Sequence, residues 1–108
     1  MSLGTPYKPV NVAEAIDLIA RGLVTVIDVR TAAEWNGGHI PVARHVPLDS
    51  ILARPREVIP GNSILFVCQV GQRSAIAAEM AAAVGLSDLY NLEGGTDAWI
   101  KNGNQVAR

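Results

Sequence analysis

The chain is poor in the groups that build cross-links, metal shells and charged surfaces. It has one cysteine, Cys68, among its 108 residues. No internal disulfide can form, so the fold must stand on its apolar core. Only His39 and His45 accompany that cysteine as soft ligands. A closed zinc shell would therefore need carboxylates or a second chain, and neither a metal nor a cofactor is expected. An excess of either charge is missing too: nine Lys and Arg face ten Asp and Glu, for a net charge of -1. That balance excludes a broad nucleic-acid face and a polybasic membrane patch. No apolar run approaches the length of a membrane span, and nothing at the N-terminus reads as a signal peptide. A cytoplasmic location is the expectation. Internal repeats and low-complexity stretches are absent as well.

What is present is apolar material, 49% of the residues, enough for one core but spread over too few residues for two. A single domain over residues 1–108 is expected, with its ordered part at about 8–103. Short β-branched runs alternate with alanine-rich helical runs, the pattern of a parallel α/β sheet. Asn11 to Glu14 reads as a capping box, followed by apolar Val12, Ala15, Ile16 and Ile19 on one helix face and stopped by Gly22. Val24 to Val29 is a buried strand, almost wholly apolar until Asp28. Thr31 to Glu34 is a second capping box, opening a short helix that Gly37-Gly38 ends. Arg44 to Pro47 is a short strand and Asp49 to Ala53 a helical turn, while Pro55 and Pro60 predict a loop. Ser63 to Val67 is the second strong strand, and it runs straight into Cys68. Ser74 to Val84 is the best helix, closed by Gly85. Leu89 to Leu92 is a last strand, and Thr96 or Asp97 is expected to cap a final helix through Lys101.

Ligands of open α/β sheets bind beyond the carboxyl ends of the strands. Three polar spots fall there: Asp28 to Arg30, Cys68 to Arg73, and Glu93 to Gly95. The central one carries the chemistry. Cys68-Gln69-Val70-Gly71-Gln72-Arg73-Ser74 leaves a buried strand and enters a helix. The first turn of that helix has unpaired N–H groups, which with the helix dipole make an anion site. A loop curled around Cys68 aims further N–H groups at its sulfur, with Gly71 permitting the turn and Arg73 adding a positive charge. Such surroundings lower a cysteine pKa by about one to several units from ~8.5. The same cradle favours a persulfide anion, as an oxyanion hole favours an alkoxide. A cysteine in an arbitrary strand is more often a small buried hydrophobe. The strand-to-helix junction with its glycine and arginine favours the nucleophile.

These residues resemble a known family. Cys68-x-x-Gly71-x-Arg73-Ser74 is similar to the active-site loop of rhodanese domains. Ile27-Asp28-Val29-Arg30, with Glu34-Trp35 and Gly38-His39-Ile40-Pro41, resembles the family's first signature. Leu92-Glu93-Gly94-Gly95, with Ala98-Trp99, resembles its C-terminal one. The resemblance implies a rhodanese-like three-layer α/β sandwich, a parallel five-stranded sheet flanked by helices. It implies a thiosulfate sulfurtransferase that works by ping-pong transfer through a persulfide on Cys68. A small donor such as thiosulfate would load the sulfur, and cyanide, a thiol or an acceptor protein would remove it. With no second cysteine in the chain, the acceptor comes from outside.

Two rival readings have their own signatures. Cysteine phosphatases need Cys-x5-Arg to ring a tetrahedral phosphate, whereas Cys68 to Arg73 is Cys-x4-Arg, sized for one sulfur atom. Non-catalytic binding or regulatory modules of this resemblance lack the cysteine, which is retained here. Asp28 and Arg30 are expected as supporting residues. Asp28 would accept from loop amides or Arg73, or the strand-end charges would form an ion pair such as Arg30 with Glu34. His39 is expected to be a packed, hydrogen-bonded histidine holding a turn, His45 to be structural or exposed, and Trp35 and Trp99 to anchor packing. Two positions depart from the family pattern: Gln69 stands where Arg is common, and Val42 where Gly is. Loss of an exposed charge beside the nucleophile would cost an anionic donor about 0.2–1 kcal/mol.

Overall fold

The structure is a computed structural model and describes residues 5–108. Five strands form one parallel sheet: β1 (Lys8–Val10), β2 (Thr25–Asp28), β3 (Arg44–His45), β4 (Ile64–Val67) and β5 (Leu89–Leu92), in the order β1-β5-β4-β2-β3. Six helices complete the order: α1 (Val12–Ala20), α2 (Ala32–Asn36), α3 (Leu48–Ala53), α4 (Pro55–Val58), α5 (Gln72–Ala83) and α6 (Gly95–Lys101). Residues 1–4 of the expected domain lie outside the described residues.

Strand periodicity builds two cores on the sheet's opposite faces. Successive side chains of a strand point to opposite sides. In β4 every residue is buried, so Ile64 and Phe66 enter one core while Leu65 and Val67 enter the other. Cys68 continues the Ile64–Phe66 side and packs with Ala77, Ala78 and Ala81 of α5 and with Ile51 of α3. The other core gathers Val10, Val26 and Leu92 against Val12 and Ala15 of α1 and Trp99 of α6. The alanines of α5 let that helix lie close to the sheet, which sets its first turn near the end of β4. The result is the expected three-layer sandwich.

Both capping boxes form. Asn11 accepts from the Glu14 N–H at 2.8 Å, and Thr31 accepts from the Glu34 N–H at 3.3 Å. Five expectations need correction. β1 was missed because it is short, interrupted by Pro9 and buried only at Val10. It pairs on one side alone, as an edge strand that tolerates proline. The predicted loop after Pro55 contains α4, because proline at the first helical position gives up only an N–H that would be unpaired anyway. Helix α5 starts at Gln72 rather than Ser74, and α6 is entered through Gly94 with no side-chain cap from Thr96 or Asp97. The chain beyond 103 is also held: His39 and Ala107 exchange backbone hydrogen bonds of 3.0 and 2.8 Å, and Trp99 Nε1 donates to the Gln105 carbonyl at 2.8 Å. Among the described residues no helix is long and apolar enough to cross a membrane.

Phe66 is the largest fully buried side chain. Phe66→Ala is expected to destabilise the fold by about 3–5 kcal/mol, seen as a lowered urea midpoint with an unchanged slope.

Candidate active site

The loop from Cys68 to Gly71 joins β4 to α5, and three neighbouring segments decide how it curls. Its carbonyl oxygens are taken from one side. The Thr96 and Asp97 N–H groups, in the first turn of α6, donate to the Cys68 and Gln69 carbonyls at 2.9 and 3.1 Å. Thr96 Oγ1 adds a second hydrogen bond to the Cys68 carbonyl at 3.1 Å. Asn91 Nδ2, on β5, donates to the Gly71 carbonyl at 3.0 Å. With its acceptors held this way, the loop turns N–H groups toward the sulfur. Gly71 donates its N–H to Cys68 Sγ at 3.1 Å, and Ser74 Oγ lies 3.2 Å from the same atom. Gly71 occupies the capping position of α5 at φ 104°, and no side chain caps that helix, so the cysteine sulfur serves the orphan donors instead.

Two glycines are required by this packing. A side chain on Gly71 would need a strained backbone and would press on the Leu92 carbonyl. One on Gly95 would put a carbon 2.4 Å from the Cys68 carbonyl oxygen. Gly95 thus lets α6 approach closely enough to hold the loop. The polar spot at Glu93 to Gly95 therefore reaches the Cys68 loop through the close approach of Gly95.

Cys68 is buried, which by itself pushes its thiol pKa up. The Ser74 hydroxyl, then the N–H groups of Ser74, Gly71 and Val70, outweigh burial and bring the pKa below the ordinary 9.0. The helix terminus and the loop amides therefore stabilise the thiolate, as the sequence suggested. Arg73 was expected to aim its charge at the sulfur, and the structure puts it elsewhere. Its guanidinium grips Glu34 through two hydrogen bonds of 2.8 Å each. Its charge acts on Cys68 only from a distance, and the pair raises the Arg73 pKa, with the Glu34 hydrogen bonds as the main cause. Glu34 is a residue that sequence reasoning did not assign to the site. Its signal was present in the second capping box, because a glutamate fixed by Thr31 at a helix start is pre-oriented for a cation.

Asp28 and Arg30 form the ion pair of the strand end, but with each other. Arg30 Nη2 and Nε donate to Asp28 at 2.8 and 3.0 Å, and the Arg30 N–H also donates to that carboxylate at 3.0 Å. Both side chains are almost wholly buried. The expected Arg30–Glu34 pair does not form because Glu34 faces Arg73. Asp28 receives neither Arg73 nor the amides of the Cys68 loop. Arg30 instead reaches the loop itself: Nη2 donates to the Gly38 carbonyl and Nη1 to Gln69 Oε1, at 2.8 and 2.9 Å. Gln69 turns its amide nitrogen to Asp97 of α6, so one side chain spans the loop from β2 to α6. Val70 and Gln72 present exposed side chains, and Val70 acts on the sulfur through its backbone N–H. A pocket of about 330 Å³ beside the loop is lined by Arg30, Thr31, Pro47, Leu48, Asp49 and Arg73.

The two histidines are structural, as expected. His39 Nδ1 donates to the Trp35 carbonyl at 2.9 Å, and His45 Nε2 donates to the Arg30 carbonyl at 2.7 Å. Both rings stack on Trp35, at 3.4 and 4.8 Å between centroids. Val42 is exposed.

The comparisons agree with this geometry. Residues 11–102 match the model of the rhodanese-like domain family. The chain belongs to that family. Over 74 residues it is 38% identical to the uncharacterized protein YqhL of Bacillus subtilis (strain 168), covering 68% of this chain and 59% of YqhL, so it spans under two thirds of that relative. A rhodanese-related protein from Thermoplasma volcanium superposes with a TM-score of 0.82 at 29% identity, over 94% of this chain and 98% of that one. The human single-domain sulfurtransferase TSTD1 does so with a TM-score of 0.73 at 25% identity, over 91% and 97%.

Two predictions follow from the ion pairs. Arg30→Met leaves the buried Asp28 carboxylate without its cation, held only by the backbone N–H of residue 30, and is expected to cost about 3–5 kcal/mol by urea denaturation. Glu34 sits well below its ordinary 4.5, at about 2, chiefly through the Arg73 hydrogen bonds. A carboxyl lowered in the folded state stabilises above its unfolded pKa and loses that contribution as pH falls through the folded value. Glu34→Gln should therefore lower the urea midpoint at neutral pH, and the difference from the native protein should fade between pH 4.5 and about 2.

Proposed function

We propose that this rhodanese-like domain is a sulfurtransferase that carries sulfane sulfur on Cys68 by a ping-pong route. The observation that carries this reading is the set of donors around Cys68 Sγ: the Gly71 N–H at 3.1 Å, Ser74 Oγ at 3.2 Å and the first N–H groups of α5. They favour an anion one atom in size, and the Cys-x4-Arg loop, whose Arg73 is engaged by Glu34, offers no second ring of donors for a phosphate.

In the first half-reaction the Cys68 thiolate attacks the outer sulfur of a donor such as thiosulfate. The donor's S–S bond breaks, and sulfite leaves with the electron pair. The new Cys68 S–S bond puts the negative charge on the terminal sulfur, where N–H groups of the loop can hold it. In the second half-reaction cyanide, a low-molecular-weight thiol or a thiol of an acceptor protein attacks that terminal sulfur. The enzyme S–S bond breaks, and the thiolate of Cys68 is restored. No general base is needed where the thiolate is already formed. A lone catalytic thiol suits a reducing, cytoplasmic compartment.

Thiosulfate is the less favoured donor. Gln69 carries no charge where the family often has arginine, and its amide is already committed to Arg30 and Asp97. Arg30 and Arg73, at the wall of the neighbouring pocket, are each matched by a carboxylate. A dianionic donor therefore gains little from these charges.

Incubation with thiosulfate, or with a small organic persulfide, should add the mass of one sulfur atom to the protein, and cyanide should remove it. Cys68→Ser should show no gain while keeping its circular dichroism spectrum. Absence of any gain on the native protein with either donor, or an equal gain on the variant, would overturn the assignment.

A further inference from the structure

Asn91 is buried at the end of β5, and nothing in the sequence motifs marks it. Strand alternation places it on the same side as Leu89, which packs against α5. Its amide orientation is determined. The Gly71 carbonyl can only accept, so the group 3.0 Å from it is Nδ2. The other end, Oδ1, then faces Ser74 Oγ at 2.5 Å. Ser74 is fully buried, and its oxygen is also 3.2 Å from Cys68 Sγ.

A serine hydroxyl has one proton. It cannot donate to Asn91 Oδ1 and to Cys68 Sγ together. With Cys68 as a thiol, the three groups form one chain: S–H donates to Oγ, and O–H donates to Oδ1. Ionisation of Cys68 draws the Ser74 proton toward the sulfur, which leaves two oxygens facing each other at short range without a hydrogen between them. The Asn91 carbonyl thus opposes the donation that the thiolate wants.

We propose that Asn91 is a positioning residue that competes with Cys68 for the single proton of Ser74 and thereby restrains ionisation of the nucleophile. On the sulfurtransferase reading above, this competition has a use. Once Sγ is bonded to a second sulfur, its charge moves outward and it no longer needs the serine proton. Ser74 then returns the proton to Asn91, and the short hydrogen bond re-forms. The free thiolate is penalised and the loaded cysteine is not, so the pair biases Cys68 toward taking up sulfur.

Other charges around the site do not confuse the comparison. Asp28 with Arg30, Glu34 of α2 with Arg73 of α5, and Asp97 of α6 with Gln69 are all partnered, and none of them touches Asn91. The contact that Asn91 replacement does disturb is Nδ2 with the Gly71 carbonyl, which can loosen the loop.

The test is a double-mutant cycle read by iodoacetamide alkylation of Cys68 against pH, in four proteins: native, Asn91→Leu, Ser74→Ala and the double variant. Loosening of the loop by Asn91→Leu enters both arms of the cycle and cancels. The change in Cys68 pKa caused by Asn91→Leu should be more negative with Ser74 present than with Ser74→Ala, by about half a unit to one unit, the size of one hydrogen bond. Equal changes in the two backgrounds would overturn the proposal. Asn91→Ala, run through the same cycle, replaces Asn91→Leu if the latter does not fold. Alkylation requires no sulfur donor, so this outcome is independent of persulfide formation. Failure to load sulfur would overturn the proposed activity, and a missing coupling would overturn the role of Asn91.

Discussion

The interaction on which the site depends is the capture of the loop's carbonyl oxygens by β5 and α6. A backbone segment has donors and acceptors in equal number, and a buried one must satisfy both. In the Cys68 loop, the Cys68 and Gln69 carbonyls are bound by the first N–H groups of α6, and the Gly71 carbonyl by Asn91. The acceptors are used up on that side. The donors of the loop and of α5 are left for the sulfur, which accepts within the curl. The anion cradle is therefore a consequence of where the carbonyls go. Gly95 is part of the same device, since a β-carbon there would collide with the carbonyls that α6 must reach.

The opposite side of the loop is braced by charge. Arg30, held by Asp28 at the end of β2, extends to the Gly38 carbonyl and to Gln69. Glu34, fixed by its capping box with Thr31, binds Arg73 at the start of α5. These arginines act as struts, and they leave little free positive charge for an incoming anion. Stabilisation of the thiolate then rests on dipoles at close range, which burial strengthens and salt screens weakly. Gln69 fits the same plan: an uncharged side chain can donate to Asp97 and accept from Arg30, whereas an arginine could not accept at all.

Much of the frame was legible because it is local. Val24 to Val29 and Ser63 to Val67 are apolar runs of strand length, and the structure places strands in both. The two capping boxes announce α1 and α2 by residue type alone. The parts that were missed depend on partners distant in the chain. β1 has a single buried residue and forms only because β5 offers an open edge. Arg73 looked like a charge for the sulfur, since Glu34, 39 positions earlier, is not visible as its partner until α2 and α5 are brought together. In the sequence Asp28 and Arg30 are two strand-end charges with several possible partners, and only the buried geometry decides that they bind each other.

By itself the sequence determined the reactive group and its setting: one thiol, at the junction of a buried strand and a helix, in a Cys-x4-Arg loop. Those are properties of residue type, spacing and local propensity. What only the tertiary structure decided is which groups face that thiol. Glu34 takes the arginine away, α6 and Asn91 take the carbonyls away, and Ser74 is left between Asn91 and the sulfur. Each of these contacts joins segments far apart in the chain. Their geometry is set by how α5 and α6 pack on the sheet, and no short stretch of sequence encodes it.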